Sequence, residues 1–128
     1  KIMNTMKKFE LEFPLQASPS FISQYLSTPD GLGEWFADNV KSRSEIFTFI
    51  WDDTEEQAKM IPTKADNVIR YRWLESPLDV YFEFRIEVDE ITKDVSLIVT
   101  DFAEDDELDD SKMFWENQIA QLKLAIGA

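Results

Sequence analysis

Residues 80–88 read VYFEFRIEV, in which large apolar side chains alternate with mostly charged ones. Because successive side chains of a β-strand point to opposite faces, this pattern predicts a strand with one buried face and one wet face. Residues 68–74, which read VIRYRWL, alternate in the same way. The two segments predict antiparallel strands whose charged faces, with Arg70, Arg72 and Arg85, point outward toward acidic partners on neighbouring strands.

Further strands extend this sheet in both directions along the chain. The same kind of pattern predicts strands in four more segments: residues 8–16, 46–51, 55–61 and 95–102. A polar turn follows the second of these segments. If that turn holds two or four residues, Ala58 and Met60 share a face with Phe47, Phe49 and Trp51.

Helix signals lie on both sides of this series of strands. Ser-Pro at 18–19 and Thr-Pro at 28–29 each place a capping side chain before a proline, which predicts two short helices after the first strand. Residues 105–128 form the longest predicted helix. Its apolar stripe, at helical spacing, is Trp115, Ile119, Leu122 and Ile126. The remaining large apolar surface is the concave face of the sheet, so we predict an α+β helix-grip fold, with a curved antiparallel sheet around the long C-terminal helix.

The composition excludes several classes of active site. The chain has no cysteine and no histidine, which rules out thiol nucleophiles, Ser-His-Asp triads and histidine-ligated metals. Its three glycines match neither a P-loop nor a dinucleotide-binding motif. We therefore expect no metal and no cofactor, assign no catalytic residue, and favour a protein that is not an enzyme.

The net charge of −13 disfavours nucleic acid and acidic membrane surfaces as partners. No run approaches the roughly 18 consecutive apolar residues of a membrane span, and the first residues show no secretory signal. We therefore predict a cytoplasmic location and one domain, over residues 7–128.

Two motifs carry a family resemblance. Residues 27–36 read STPDGLGEWF and are similar to T-x-P-x-x-x-x-x-W-F, with Ser27 in place of the threonine. Residues 115–123 read WENQIAQLK and are similar to W-E-x-x-L-x-x-L-K, with Ile119 in place of the first leucine. Both motifs resemble the branch of the START-like (SRPBCC) superfamily that is related to activators of heat-shock-protein ATPases.

This resemblance covers nearly the whole chain, and its motifs maintain the fold rather than perform catalysis. The chain departs from the branch in having no histidine at the end of its last strand and no glycines at the start of the second. It resembles a bacterial START-like group without an assigned activity. What the resemblance implies is the helix-grip fold and an apolar cavity between sheet and terminal helix.

The predicted cavity gives a set of candidate ligand-binding residues, most of them apolar or aromatic and on predicted inward faces. They are Phe49, Met60, Tyr71, Trp73, Phe82, Phe84, Leu97, Val99, Asp101, Trp115 and Ile119. A strongly curved sheet with one helix encloses space that such side chains can line. The alternative for each aromatic residue is a filled core.

Acidic residues near the end of the last strand allow two interpretations. Asp101 shares strand parity with Leu97 and Val99, so it points inward and could anchor a ligand or act as a general base. The alternative is a solvated strand end or a helix cap. The acids of residues 101–110 could bind a cation or a basic partner, but acids also stabilise a helix start by about 0.3–1 kcal/mol each.

Three functions follow, and the sequence leaves them open. The first is non-catalytic binding of a small hydrophobic or amphipathic ligand in the cavity between sheet and C-terminal helix. The alternative is a protein-interaction module similar to a chaperone-ATPase activator domain, with a protein partner on its surface. The third is an enzyme of the cyclase or hydratase type, for which only Asp101, Tyr71 and Glu56 offer polar groups.

Overall fold

The computed structural model describes residues 6–77 and 79–127. Its elements in chain order are β1 (Lys7–Leu15), α1 (Pro19–Ser27), α2 (Pro29–Leu32), β2 (Asn39–Arg43), β3 (Ile46–Trp51), β4 (Thr54–Ile61), β5 (Val68–Trp73), β6 (Phe82–Val88), β7 (Val95–Ala103), a 3-10 turn (Asp105–Glu107) and α3 (Leu108–Ile126). In the described residues the strands form one curved antiparallel sheet in the order β1-β7-β6-β5-β4-β3-β2. The predicted α+β helix-grip fold, with two short helices after the first strand, is confirmed.

The pairing of the strands preserves the predicted alternation. Tyr71 lies opposite Phe82, and both side chains, like that of Phe84, are fully buried on the concave face. On the convex face between them, Arg70 Nη2 lies 2.6 Å from Glu83 Oε1. Apolar side chains therefore face the helices, and Arg70 and Arg85 have the acidic partners expected on the outside of the sheet. Arg72, for which an acidic partner was also expected, instead lies opposite Lys59.

Strand β2 is absent from the predicted set of strands. Its sequence, NVKSR, has one apolar side chain, so alternation gives no strand signal there. In the structure β2 is an edge strand that pairs with β3, and its one buried residue, Val40, lies opposite Phe49. An edge strand whose outer side is open can be mostly polar, and the sheet therefore has one strand more than the sequence predicts.

The junction between α1 and α2 is built around Thr28. Its hydroxyl donates a hydrogen bond to the Gln24 carbonyl oxygen (2.7 Å) and accepts one from the Gly31 amide (2.9 Å). Gly31 lies so close to α1 that a Cβ atom there would overlap the Gln24 carbonyl oxygen and lie 2.6 Å from Tyr25 Cα. The two short helices therefore meet backbone to backbone, at a contact that only glycine fits.

Helix α3 packs against β1 and β7 and buries Trp115, Ile119 and Leu122. It begins later than predicted because Asp105–Glu107 form a 3-10 turn. Its end is set by Gly127, which has a φ of 75° and donates its N–H to the Lys123 carbonyl oxygen. Over the described part of the chain, no helix is both long and apolar enough to cross a membrane.

Replacement of Gly31 by alanine tests the contact between the short helices. We expect Gly31→Ala to lower the free energy of unfolding by about 1–3 kcal/mol, because its methyl group overlaps backbone atoms of α1. Gly33→Ala is the matched control: Gly33 has a φ of −68°, and a Cβ there would lie 3.2 Å from the Pro29 carbonyl oxygen. Its effect should stay below about 1 kcal/mol. Urea denaturation followed by tryptophan fluorescence measures both, and equal losses would contradict the close contact at Gly31.

Candidate ligand-binding site

Most of the predicted ligand-binding residues lie together between the sheet and α3. Those that are at most 2% exposed are Phe49, Tyr71, Phe82, Phe84, Leu97, Val99, Trp115 and Ile119. Met60 and Trp73 are half-buried and pack against this group. Asp101, the remaining residue of the set, is also half-buried. The structure thus brings the predicted residues into one region of the molecule.

The aromatic rings in this region are in contact with one another. The ring centroids of Tyr71 and Phe82 are 5.2 Å apart in a stacked arrangement. The Trp115 ring lies 5.9 Å from that of Phe82 and 5.8 Å from that of Phe84. These are the separations of packed aromatic pairs, so in this conformation the rings form core. A ligand-binding role for them stays a prediction.

Phe36, which is not among the predicted site residues, fills the middle of the region. Its ring stacks on Trp115 at 5.7 Å with an angle of 20° between the planes. It also lies 5.1 Å from the ring of Phe49 and 5.8 Å from that of Phe82. Phe36 therefore joins the segment after α2 to both the sheet and α3. The Trp-Phe pair that ends the family motif is the sequence signal that could have identified it.

Asp101 uses both carboxylate oxygens within its own chain. Oδ2 accepts a hydrogen bond from Trp115 Nε1 (2.8 Å), and Oδ1 accepts one from the Phe102 amide (2.7 Å). Burial raises the pKa of Asp101 above its usual range, while these two hydrogen bonds partly oppose the increase. Asp101 thus points inward, as strand parity predicts, and its carboxylate links β7 to α3 through the hydrogen bond from Trp115.

The other polar groups proposed for an enzyme are either hydrogen-bonded within the chain or exposed. The Tyr71 hydroxyl donates a hydrogen bond to the Leu26 carbonyl oxygen (2.7 Å), and burial raises the pKa of Tyr71. Glu56 is exposed. Among the side chains that the structure describes, no buried nitrogen or oxygen lacks a hydrogen-bond partner. Every buried polar side-chain atom among them thus already has at least one partner within the chain.

Two of the pockets beside α1 lie where the concave face of the sheet extends past the helix. One, of about 330 Å³, lies between the start of α1 and the strands β5 and β6, and the other, of about 360 Å³, lies between the end of α1 and the β4–β5 turn. Ile69 lines both pockets. We call the two pockets together the α1 groove. Its apolar lining includes Met60, Ile69, Ile86 and Val88, which share the concave face of the sheet and which we call its apolar floor.

One wall of the α1 groove carries hydroxyl groups. This wall is lined by Ser20, Ser23 and Ser27. Their spacing places all three on one side of α1. The Ser27 hydroxyl donates a hydrogen bond to the Ser23 carbonyl oxygen (2.8 Å), so its oxygen can still accept one. The groove thus combines an apolar floor with a polar wall. Of the predicted ligand-binding residues, Met60 is the one that lines it.

Strand parity is the sequence signal that could have led to this groove. Ile69 and Ile86 fall on the same faces as Tyr71 and Phe84, so alternation points them to the concave side. The sequence does not show how far α1 reaches across that side, because this depends on the contact at Gly31 and on the bond from Tyr71. The position of the open part of the concave face therefore depends on tertiary contacts that the sequence pattern does not reveal.

Asp101→Asn tests whether burial dominates the titration of this carboxyl group. Because burial raises the folded-state pKa above the unfolded value, Asp101 contributes most to stability when protonated, and stability falls as pH rises through the folded pKa. The free energy of unfolding of wild type minus that of the variant should therefore shrink between about pH 4 and about pH 7. Urea denaturation at both pH values measures this, and the pH-independent cost of the substitution cancels. A constant or growing difference would contradict a raised pKa.

Comparisons with known proteins agree with this architecture. A protein from Bacteroides fragilis, BfR322, whose solution structure is known, is 36% identical over 97% of this chain and 93% of its own, with a TM-score of 0.67. The Aha1 dimer from Colwellia psychrerythraea is 18% identical over 91% of this chain and 93% of its own, with a TM-score of 0.76. CalU16 from Micromonospora echinospora is 14% identical over 94% of this chain and 74% of its own, with a TM-score of 0.71.

No curated protein sequence matches the chain. The family model described as START-like superfamily domain matches residues 3–128. The family expected from the two sequence motifs is therefore confirmed. With this match and the helix-grip architecture in agreement, the chain belongs to the START-like superfamily.

Proposed function

We propose that this START-like domain binds a small apolar or amphipathic ligand in the α1 groove and does not change it chemically. The observation that carries the proposal is the apolar floor of Met60, Ile69, Ile86 and Val88. Val88 is 45% exposed, which is unusual for a large apolar side chain on the concave side of this sheet. A ligand would cover apolar surface that the fold leaves open to water.

The size of the groove supports this proposal. The two pockets, of about 330 and 360 Å³, meet at Ile69 and each fall within the range of about 300–1,000 Å³ that is typical of small-molecule sites. The superfamily often binds hydrophobic ligands. A ligand that spans both pockets would cross Ile69 and place its apolar part on the floor.

The charges around the groove indicate which ligands fit best. Glu45 and Asp66 line its two pockets. Arg70 is the one basic residue among the described lining residues, and its guanidinium lies on the convex face, where it is paired with Glu83. A carboxylate or phosphate on the ligand would therefore meet mainly negative charge. We infer that an uncharged or cationic amphiphile, with its polar group toward the serines of α1, is preferred over a fatty acid.

The positions of the buried polar groups favour binding without catalysis. Asp101 and Tyr71, whose pKa values burial raises, both use their oxygens in hydrogen bonds that hold helices to the sheet. Neither lines the α1 groove. A general acid or base must reach the reacting group directly or through one water, and neither residue is placed to do so here.

In this proposal, predicted ligand-binding residues of the core pack behind the floor of the α1 groove. Tyr71 and Phe84 are the next residues behind Ile69 and Ile86 on the concave side of β5 and β6. We propose that their side chains support the floor of the groove from the core side and do not contact the ligand on all sides. A deeper site among the core rings would require Phe36 to leave its stack on Trp115.

Binding of Nile red, an uncharged apolar dye, tests the groove. We expect its fluorescence to rise in the presence of the protein and the melting temperature to increase, because the dye binds the folded state. Val88→Asp, which adds a charge to the floor, should weaken dye binding by at least about tenfold. Ile91→Asp is the matched control, since Ile91 is 90% exposed in the β6–β7 turn and lies outside the groove. Equal losses in the two variants, or no binding to wild type, would sink the proposal.

Phe84→Trp distinguishes a dye in the groove from a dye in the core. Because Phe84 is fully buried among packed rings, the larger indole should cost about 1–3 kcal/mol of stability. Dye affinity, measured at a temperature where the variant is folded, should change by less than about twofold. A large fall in affinity with unchanged stability would instead place the dye between the sheet and α3.

A further inference from the structure

Three cations form a row across the convex face of the sheet, opposite to the α1 groove. The register places Arg43 of β2 opposite Ile46 of β3, Ile46 opposite Lys59 of β4, and Lys59 opposite Arg72 of β5. We call Arg43, Lys59 and Arg72 the basic row. Lys41, two residues before Arg43 on the same face of β2, extends it along that strand.

The basic row is unusual in a chain with 26 acidic and 13 basic residues. Like charges directly opposite one another destabilise a sheet, and Lys59 and Arg72 are such a pair. Two other cations of the convex face have acidic partners: Arg70 pairs with Glu83, and Arg85 lies within 3.6–3.8 Å of two glutamates. The row is therefore a local accumulation of positive charge.

None of the three cations of the basic row forms an ion pair within residues 6–77 and 79–127. The nearest acid on the same face of β4 is Glu55, four residues before Lys59. Arg43 is exposed, and Lys59 and Arg72 are half-buried, as expected of long side chains that lie along the sheet with their charged ends in water. Their charges are therefore available to a partner.

We propose that the basic row binds an extended acidic segment of a partner protein, a function beyond ligand binding in the α1 groove. Neighbouring strands lie about 4.8 Å apart, so from Arg72 the row reaches Lys59 after about 5 Å and Arg43 after about 14 Å. In an extended peptide, side chains on one side recur about every 7 Å. Acids at alternate positions, i, i+2 and i+4, can therefore each reach one cation of the row.

Charge also argues against the other occupants of this face. A nucleic acid is a long polyanion, so it would be repelled by the net charge of −13 of the whole chain. A short peptide interacts mainly within the Debye length of about 8 Å, where the row dominates. A second copy of this chain would bring its own −13, and its acids at 104–110 belong to the 3-10 turn and the start of α3 rather than to an extended segment.

NMR titration of the labelled protein with the capped peptide Glu-Ala-Glu-Ala-Glu tests the proposal. We expect amide shifts to change around Arg43, Lys59 and Arg72, and binding to weaken as salt is raised from about 20 to about 200 mM. The same peptide with glutamine in place of glutamate should produce no change. In K59Q/R72Q the dissociation constant should rise at least about fivefold.

The double variant K64Q/K93Q is the matched control, since it removes two exposed cations from turns outside the row and lowers the net charge equally. It should bind the peptide like wild type, and the spectra of both double variants should retain the dispersion of the folded protein. Equal weakening in the two double variants, or no binding to wild type, would overturn the proposal. It would also be overturned if an oligonucleotide binds the row more tightly than the peptide does, or if the row's shifts depend on protein concentration without peptide.

Discussion

The indole of Trp115 is the contact on which the rest of the structure depends, because it joins three separate parts of the chain at one point. It stacks on Phe36, contacts Phe82 and Phe84 of β6, and donates its N–H to Asp101 of β7. Helix α3, the sheet and the segment after α2 therefore converge on one side chain. Truncation of such a buried tryptophan typically costs about 3–5 kcal/mol, a large part of the about 5–15 kcal/mol that stabilises a domain.

This convergence also determines where a ligand can bind. The helix-grip fold is expected to enclose a cavity between its sheet and terminal helix, but here Phe36 occupies the centre of that space and the remaining rings pack around it. The polar groups of the same region, Asp101 and Tyr71, hold α3 and α1 to the sheet. Open apolar surface remains at the margin of the concave face, beside α1. The proposed ligand-binding site therefore lies in the α1 groove, at the margin of the sheet, rather than between the sheet and α3.

The sequence predicted the features of the fold that depend on local patterns. Alternation gave the long strands and their buried faces, and capping residues before prolines gave the starts of α1 and α2. It missed β2, because an edge strand with only Val40 buried has almost no pattern. It also missed the central position of Phe36 and the α1 groove, which arise where segments far apart in sequence meet. The basic row was hidden for the same reason, since Arg43 joins it only through the pairing of β2 with β3.

The hydrogen bonds of α1 give the two ends of the groove different surroundings. Near its C-terminal end, the Leu26 carbonyl oxygen accepts a bond from the Tyr71 hydroxyl, and the Tyr25 carbonyl oxygen accepts one from Trp35 Nε1 (2.8 Å). The contact at Gly31 adds a backbone constraint at the same end. At the other end, the side-chain hydrogen bond found among the described residues is local: the Phe21 amide donates to the Ser18 hydroxyl oxygen. The pocket beside Ser27 is therefore fixed by long-range contacts, and movement of α1 would cost least free energy at the pocket beside Ser20.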